Sequence, residues 1–421
     1  MSAVSRRTNW AGNIAFAAPE LHRPATLSEL QAVVARASRL RALGTGHSFN
    51  DIADSPGAQV SLAGLPPEVE ADSARSVARV SAGLTYAEVA PRLHAAGFAL
   101  RAMASLPHIS VGGACATATH GSGIASQNLA AAVTAMEMVT ADGDLVSLHR
   151  KDDGFSGAVV HLGALGVVVS LTLEVVPAFD VAQQVYENLP LAVLDDHFAD
   201  IMAAGYSVSL FTDWRAPRLT QVWVKQRVGD PAAEVAEAPW FTAMPADGPR
   251  HPVPGQPAQT CTEQLGVPGP WYARLPHFRP GFTPSAGDEL QSEYLLPTEQ
   301  TVAGLHALGQ LSQAVAPVLQ ICEVRAIAAD ELWLSPCYQR DTVGFHFTWV
   351  PDADRVLPVV RLVEQRLALL DARPHWGKVF TTPPEALRAS YQRLPDFLGL
   401  IGRYDPAGKF RNAYTGRYLA G

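Results

Sequence analysis

The chain has 421 residues, a length for two or three folding units, and its 48% hydrophobic against 17% charged residues support a large core and exclude global disorder. A net charge of −8, with no Lys/Arg run interleaved with aromatics, argues against nucleic acid as a partner. The four cysteines, Cys115, Cys261, Cys322 and Cys337, form no C-x-x-C pair, so no metal site or dithiol is expected, and their scarcity fits a reducing compartment.

The first residues, SRRTNWAGN, carry the Arg6-Arg7 pair of a twin-arginine export signal, but Asn9, Gly12 and Asn13 interrupt any apolar run behind it, so a cytoplasmic location is expected. RPATLSELQAVVARAS (23–38) predicts a helix: Thr26 and Glu29 form a capping box, and Leu27, Leu30, Val34 and Ala37 recur at helical spacing. LRALG (40–44) has the length of a strand, with GTGHS turning after it. VARVSAG (77–83) repeats that logic and leads into a helix, LTYAEVAPRLHAAGF, capped by Thr85 and Glu88 and ended by Gly97. LPHISVGGACATATHGSG (106–123) is a glycine-rich entry into a short helix of small residues. AAVTAMEMVTADGDLVSL (130–148) predicts a hairpin turning at Asp142-Gly143. The most apolar stretch, LGALGVVVSLTLEVVPAF (162–179), is broken by Ser170, Thr172, Glu174 and Pro177, and reads as buried strand, not as a membrane span. Residues 1–177 then form one α+β unit.

Beyond it the texture changes. VSLFTDW, RLTQVWVKQ and TVGFHFTWV alternate as strands, and QTVAGLHALGQLSQAV and LPVVRLVEQRLALLD read as helices. Between Pro245 and Pro284 the prolines are too dense for regular helix or central strand, which predicts an ordered excursion or a lid. The tail, ARPHWGKVF (372–380) and RYDPAGKFRNAYTGRYL (403–419), is expected to pack back on the first unit.

GTGHS and SVGG both offer backbone N–H groups unshielded by Cβ atoms, as a ligand with two phosphates requires, although each alone is also what a plain turn looks like. Neither a P-loop nor a Rossmann fingerprint is present. His47 stands out in its loop, because nothing local asks for an imidazole; a neutral one can bond covalently to an electrophilic cofactor carbon.

Together the stretches HRPATLSELQAVVARASRLRALGTGHSFNDIA, SLPHISVGGACATATHGSG and HLGALGVVVSLTLEVV, with HWGK and DPAGKFRN near the end, resemble the vanillyl-alcohol-oxidase-type flavoproteins. The likeness covers nearly the whole chain and is greatest to the sugar-acting branch, the alditol (xylitol and sorbitol) oxidases. It implies a two-domain α+β fold of the PCMH/VAO type. Both chain ends (1–177 and 375–421) form an FAD domain, and 178–374 form an inserted substrate domain.

The resemblance also implies roles. His47 carries the FAD through a single covalent bond to its 8α-methyl. The cofactor lies against Gly44, Thr45, Gly46, His47 and Ser48, against Ser105, Ser110, Val111, Gly112, Gly113, Cys115, Ala116, Thr119, His120 and Gly121, and against Gly166, Val168 and Lys378. Cys115 is read as a packing residue, not as a second attachment.

By spacing, Glu323 and Arg325 share one face of LQICEVRAI, and His346 and Thr348 share the polar face of TVGFHFTWV. A solvent-facing pair would show the same spacing. The resemblance instead gives Ser105, Glu323, Arg325, His346, Thr348 and Lys378 as polyol-binding, with Arg325, Lys378, Glu323 and His346 at the chemistry. Lys378 is implied to stabilise negative charge at the flavin N1–C2=O edge. The implied reaction passes hydride from the terminal polyol carbon to flavin N5, and O2 becomes H2O2, in a monomer. Two other readings stay open: an aldonolactone oxidoreductase, and a flavin- or sugar-binding protein without turnover.

Overall fold

A computed structural model describes residues 6–230, 240–282 and 288–419. Three parallel strands open the fold: β1 (Glu20–His22), β2 (Leu40–Ala42) and β3 (Ala58–Val60), in the order β1-β3-β2. Helix α1 (Leu27–Arg36) joins the first two and buries Leu30 and Val34. Thr26 accepts from the Glu29 amide at 3.2 Å, while the Glu29 carboxylate reaches the Ala25 amide, one residue before the expected partner.

A five-stranded antiparallel sheet follows: β4 (Val69–Asp72), β5 (Val77–Ser81), β6 (Val133–Val139), β7 (Leu145–His149) and β8 (Val167–Glu174), in the order β4-β5-β8-β6-β7. Helix α2 (Tyr86–Ala95) carries the expected Thr85/Glu88 capping box, and Gly97 at φ +85° ends it. Short α3 (Val111–Ala116) follows the second glycine turn. The apolar run is strand only from Val167 on. Leu162 and Gly163 lie at positive φ, and their carbonyls accept from the Arg41 guanidinium, so this part is a loop.

The middle of the chain builds a second, larger antiparallel sheet. Its long strands are β9 (Asp180–Pro190), β10 (Ser207–Thr212), β11 (Arg218–Arg227), β12 (Leu290–Pro297), β13 (Leu319–Ile327) and β14 (Thr342–Trp349), in the order β9-β11-β10-β13-β14-β12. Phe345, Phe347 and Trp349 enter the core on one face, as their alternation predicts. The expected helix over 300–315 divides into Thr301–Gly309 and Ser312–Val315, where Gly309 weakens helix propagation.

The 245–282 part of the proline-dense segment is ordered, with only two-residue strand pairings to β9 at Met244–Pro245 and Gly269–Pro270 and two single 3-10 turns, and buries Val253, Cys261, His277 and Phe278; Thr283 and Pro284 lie outside the described residues. The tail does return to the first unit. Lys409 donates to the carbonyls of Val34, Ala35 and Ala141, and Asn412 to those of Asp51, Ile52 and Asp54. Among the described residues, no helix is long and apolar enough to cross a membrane.

Candidate active site

A cavity of about 310 Å³ lies where the two sheet systems meet. One wall comes from the GTGHS loop, α3, the 161–166 loop and Val168 of β8; the other comes from β12, β13, β14 and HWGK. The two glycine turns touch: Thr45 Oγ1 accepts from the Ser110 amide at 3.3 Å. A Cβ on Gly44 would fall 2.3 Å from Ser110 Oγ, and one on Gly166 would fall 2.6 Å from the Val139 carbonyl oxygen. Glycine is therefore what lets these segments close around the space.

His47 Nδ1 lies 2.9 Å from Thr45 Oγ1, and the ring stacks on Trp10 at 5.2 Å between centroids. Its Nε2 is buried and has no partner. Burial, with help from His108 and Lys378, lowers its pKa to about 4, so the imidazole is neutral and nucleophilic at neutral pH. The loop is pinned from behind. Asn50 Nδ2 donates to the carbonyls of Trp376 and Lys378 at 2.8 Å each, and Phe49 donates to that of Gly377. HWGK and GTGHS are thus one joint, although 328 residues separate Asn50 from Lys378.

The polar wall follows from strand register. β13 and β14 pair with Glu323 opposite His346, so Glu323, Arg325, His346 and Thr348 all face the cavity. Arg325 lies between two carboxylates. Arg325 Nη2 bonds Glu293 Oε1 at 2.6 Å, whereas Glu323 is 3.6 Å from its Nε. Glu293, on β12, also lies 3.1 Å from His120 Nε2 and 3.3 Å from His346 Nδ1. Burial opposes ionisation of Glu293, but Arg325, His120 and His346 override it and hold the carboxyl well below the usual range. Lys378 Nζ bonds Gln291 on the same strand, and burial lowers its pKa to about 8. Ser105 Oγ accepts from Arg325 at 3.4 Å.

Most of the expected cofactor residues line the cavity: Gly44 through Ser48, Ser105, Ser110, Gly112, Gly113, Ala116, Thr119, His120, Gly166, Val168 and Lys378. Val111, Cys115 and Gly121 do not. Val111 and Cys115 point into the core, with Cys115 Sγ 3.9 Å from the Tyr86 hydroxyl, and Gly121 is glycine because a Cβ would fall 2.5 Å from the Met103 carbonyl oxygen. The amides of Val111 and Gly112 bond the carbonyls of Leu84 and Ala82, so these two are not free to meet a phosphate. Trp10, His277, Gln291 and Glu293 line the cavity without having been expected there.

This chain is 54% identical over 417 residues to an alditol oxidase of a Streptomyces species, across 98% of this chain and 99% of that one. The chain belongs to the vanillyl-alcohol-oxidase-type family of FAD oxidoreductases. Within that family it is 30% identical to an L-gulono-1,4-lactone dehydrogenase of Mycobacterium tuberculosis, across 98% of both chains. The L-gulonolactone oxidase of Bos taurus is 25% identical across 96% of each. The patterns of the FAD binding domain and of D-arabinono-1,4-lactone oxidase match residues 20–149 and 288–418. The crystal structure of cholesterol oxidase from B. sterolicum superposes with a TM-score of 0.79, over 99% of this chain and 96% of that one, at 14% identity, a likeness of fold alone. The FAD binding domain pattern implies a cradle for the cofactor, and the glycine turns fit one, with the orphaned His47 nitrogen beside them.

Proposed function

We propose that the chain is a covalent-FAD alditol oxidase, converting the terminal hydroxyl of a linear polyol such as xylitol or sorbitol to the aldose while O2 becomes H2O2. Residues 1–177 with 375–421 hold the cofactor, and 178–374 hold the substrate. Every group needed comes from one chain, so a monomer suffices, and four unpaired cysteines fit the reducing cytoplasm.

The observation that carries this reading is the polar wall itself. Glu323, Arg325, His346, Thr348, Ser105 and Lys378 line one space with donors and acceptors, and His47, with its unpartnered nitrogen, lines the same space. An array of this kind offers donors and acceptors in succession to a ligand that carries a run of hydroxyls, which favours an open-chain polyol over a simple alcohol. The greater identity to an alditol oxidase than to the lactone enzymes supports the same choice.

Bound FAD supplies the hydride acceptor and passes the electrons to O2. Arg325 and Lys378 polarise the C1 hydroxyl and stabilise its alkoxide character as C1–H departs. With FAD bound, Lys378 would also supply positive charge to the reduced cofactor. Glu323 accepts from the neighbouring hydroxyls, and His346, Thr348 and Ser105 complete the set. His47 is the attachment point.

Two measurements test the proposal. Peroxide release from xylitol and sorbitol should exceed that from gulonolactone; the reverse order assigns the lactone reaction instead. The acid-precipitated wild type should stay yellow and the His47→Ala pellet colourless, and a colourless wild-type pellet removes the covalent bond.

A further inference from the structure

A buried chain of three groups runs from Lys225 through His277 to the cavity-facing carboxylate of Glu323. Lys225, on β11, is 1% exposed. Its Nζ donates to the carbonyls of Leu275 and Pro276, at 2.5 and 3.1 Å, and lies 3.1 Å from His277 Nδ1. His277 Nε2 in turn lies 2.8 Å from Glu323 Oε1.

The chemistry orders these contacts. The Glu323 carboxylate can only accept, so Nε2 of the neutral ring carries the proton and donates to it, and Nδ1 is left to accept from Lys225, whose pKa burial lowers to about 7. Lys225 thus supports the histidine tautomer from the other side of the ring. Burial, then Lys225, lowers the His277 pKa to about 4, so the ring stays neutral and keeps this polarity. Burial opposes the charge on Glu323, but Arg325 and the His277 bond hold its carboxyl far below the usual range. The backbone of His277 contributes as well. Its amide, and that of Phe278, donate to the carbonyl of Ser105 at 3.0 and 3.3 Å. The proline-dense segment therefore braces two substrate-facing residues at once, from strands and loops far apart in sequence.

We infer that Lys225 and His277 are positioning residues that lock Glu323 as an oriented, acceptor-only carboxylate for substrate hydroxyls, and that the 245–282 segment is a fixed brace, not a lid. This deepens the proposed function, since it says how the polyol-binding carboxylate gets its aim. One Glu323 oxygen is engaged by His277, leaving the other for the substrate.

The test is steady-state kinetics on holoenzyme, with flavin content and thermal midpoint measured beside it. His277→Leu should raise KM for xylitol about tenfold or more, with kcat within about threefold, and His277→Gln, which can still donate, should recover most of the loss. Lys225→Met keeps the imidazole but frees Nδ1 to take the proton, and should raise KM in the same direction. An unchanged KM in both His277→Leu and Lys225→Met overturns the inference. So does a KM change that His277→Gln does not recover at equal flavin content, since that is a packing effect. If the wild type oxidises lactone and no polyol, the proposed substrate falls, and the same comparison on the lactone decides the brace separately.

Discussion

Glu293 meets three partners that would otherwise be buried cations or orphaned imidazoles. With Glu293→Gln, Arg325 loses its close carboxylate and keeps the Glu323 carboxylate at 3.6 Å and the Ser105 hydroxyl at 3.4 Å. Leaving a buried guanidinium without its close partner costs about 3 kcal/mol or more, so the variant should melt earlier at equal flavin content. An unchanged midpoint would show that Arg325 is neutralised elsewhere. Lys378 gives a prediction in pH. Burial, partly offset by Glu293, lowers its pKa to about 8, so the ammonium is present below that value and lost above it. If that charge drives turnover, kcat/KM falls as pH rises through about 8, and Lys378→Arg moves the fall to higher pH. A flat alkaline limb in the wild type contradicts the role. At this scale the sequence is partly legible. Glu323 and Arg325 declare themselves because alternate residues share a face. Gln291 and Glu293 have the same spacing in LQSEYLLP, but nothing beside them marks that face as the cavity side. His277 carries no signal at all, since a proline-dense segment has no period to read.

Elements were easier to read than their ends. The Thr85/Glu88 cap and the hairpin around Asp142-Gly143 follow from local chemistry, and Gly143 takes φ +90° in that turn. The 162–166 segment shows what local chemistry leaves out: its apolar residues look like strand, yet a distant arginine claims their carbonyls and bends them into loop. Gly166, at the end of that loop, packs where a side chain has no room. A Cβ would fall 2.6 Å from both Met138 Cγ and the Val139 carbonyl oxygen. Gly166→Ala should therefore cost about 1–3 kcal/mol, read as a lower thermal midpoint, and should weaken FAD retention by shifting the cavity wall. A variant as stable as the wild type would mean that β6 yields without strain.

At the scale of the whole molecule, one buried charge joins segments far apart in sequence. Arg41, fully buried on β2, donates to the carbonyls of Ile52, Leu162, Gly163 and Phe410, so both chain ends and the 162–166 loop meet at one guanidinium. Arg41→Leu takes this donor from the carbonyls of Leu162, Gly163 and Phe410, while that of Ile52 keeps Asn412. A loss of about 3 kcal/mol or more is expected, with the 403–419 tail becoming the first site of limited proteolysis. Cleavage that starts elsewhere would show that Lys409 and Asn412 hold the tail unaided. This long-range joint is beyond any window of sequence, whereas the division into two sheet systems shows in the change of texture near residue 178.

The most direct measurement is an anaerobic titration of wild-type holoenzyme with xylitol, followed by flavin absorbance and by assay of the sugar formed. Complete bleaching is expected, with one aldose released per flavin and colour restored by air. Flavin that stays oxidised under excess xylitol and sorbitol would contradict a polyol-oxidising site.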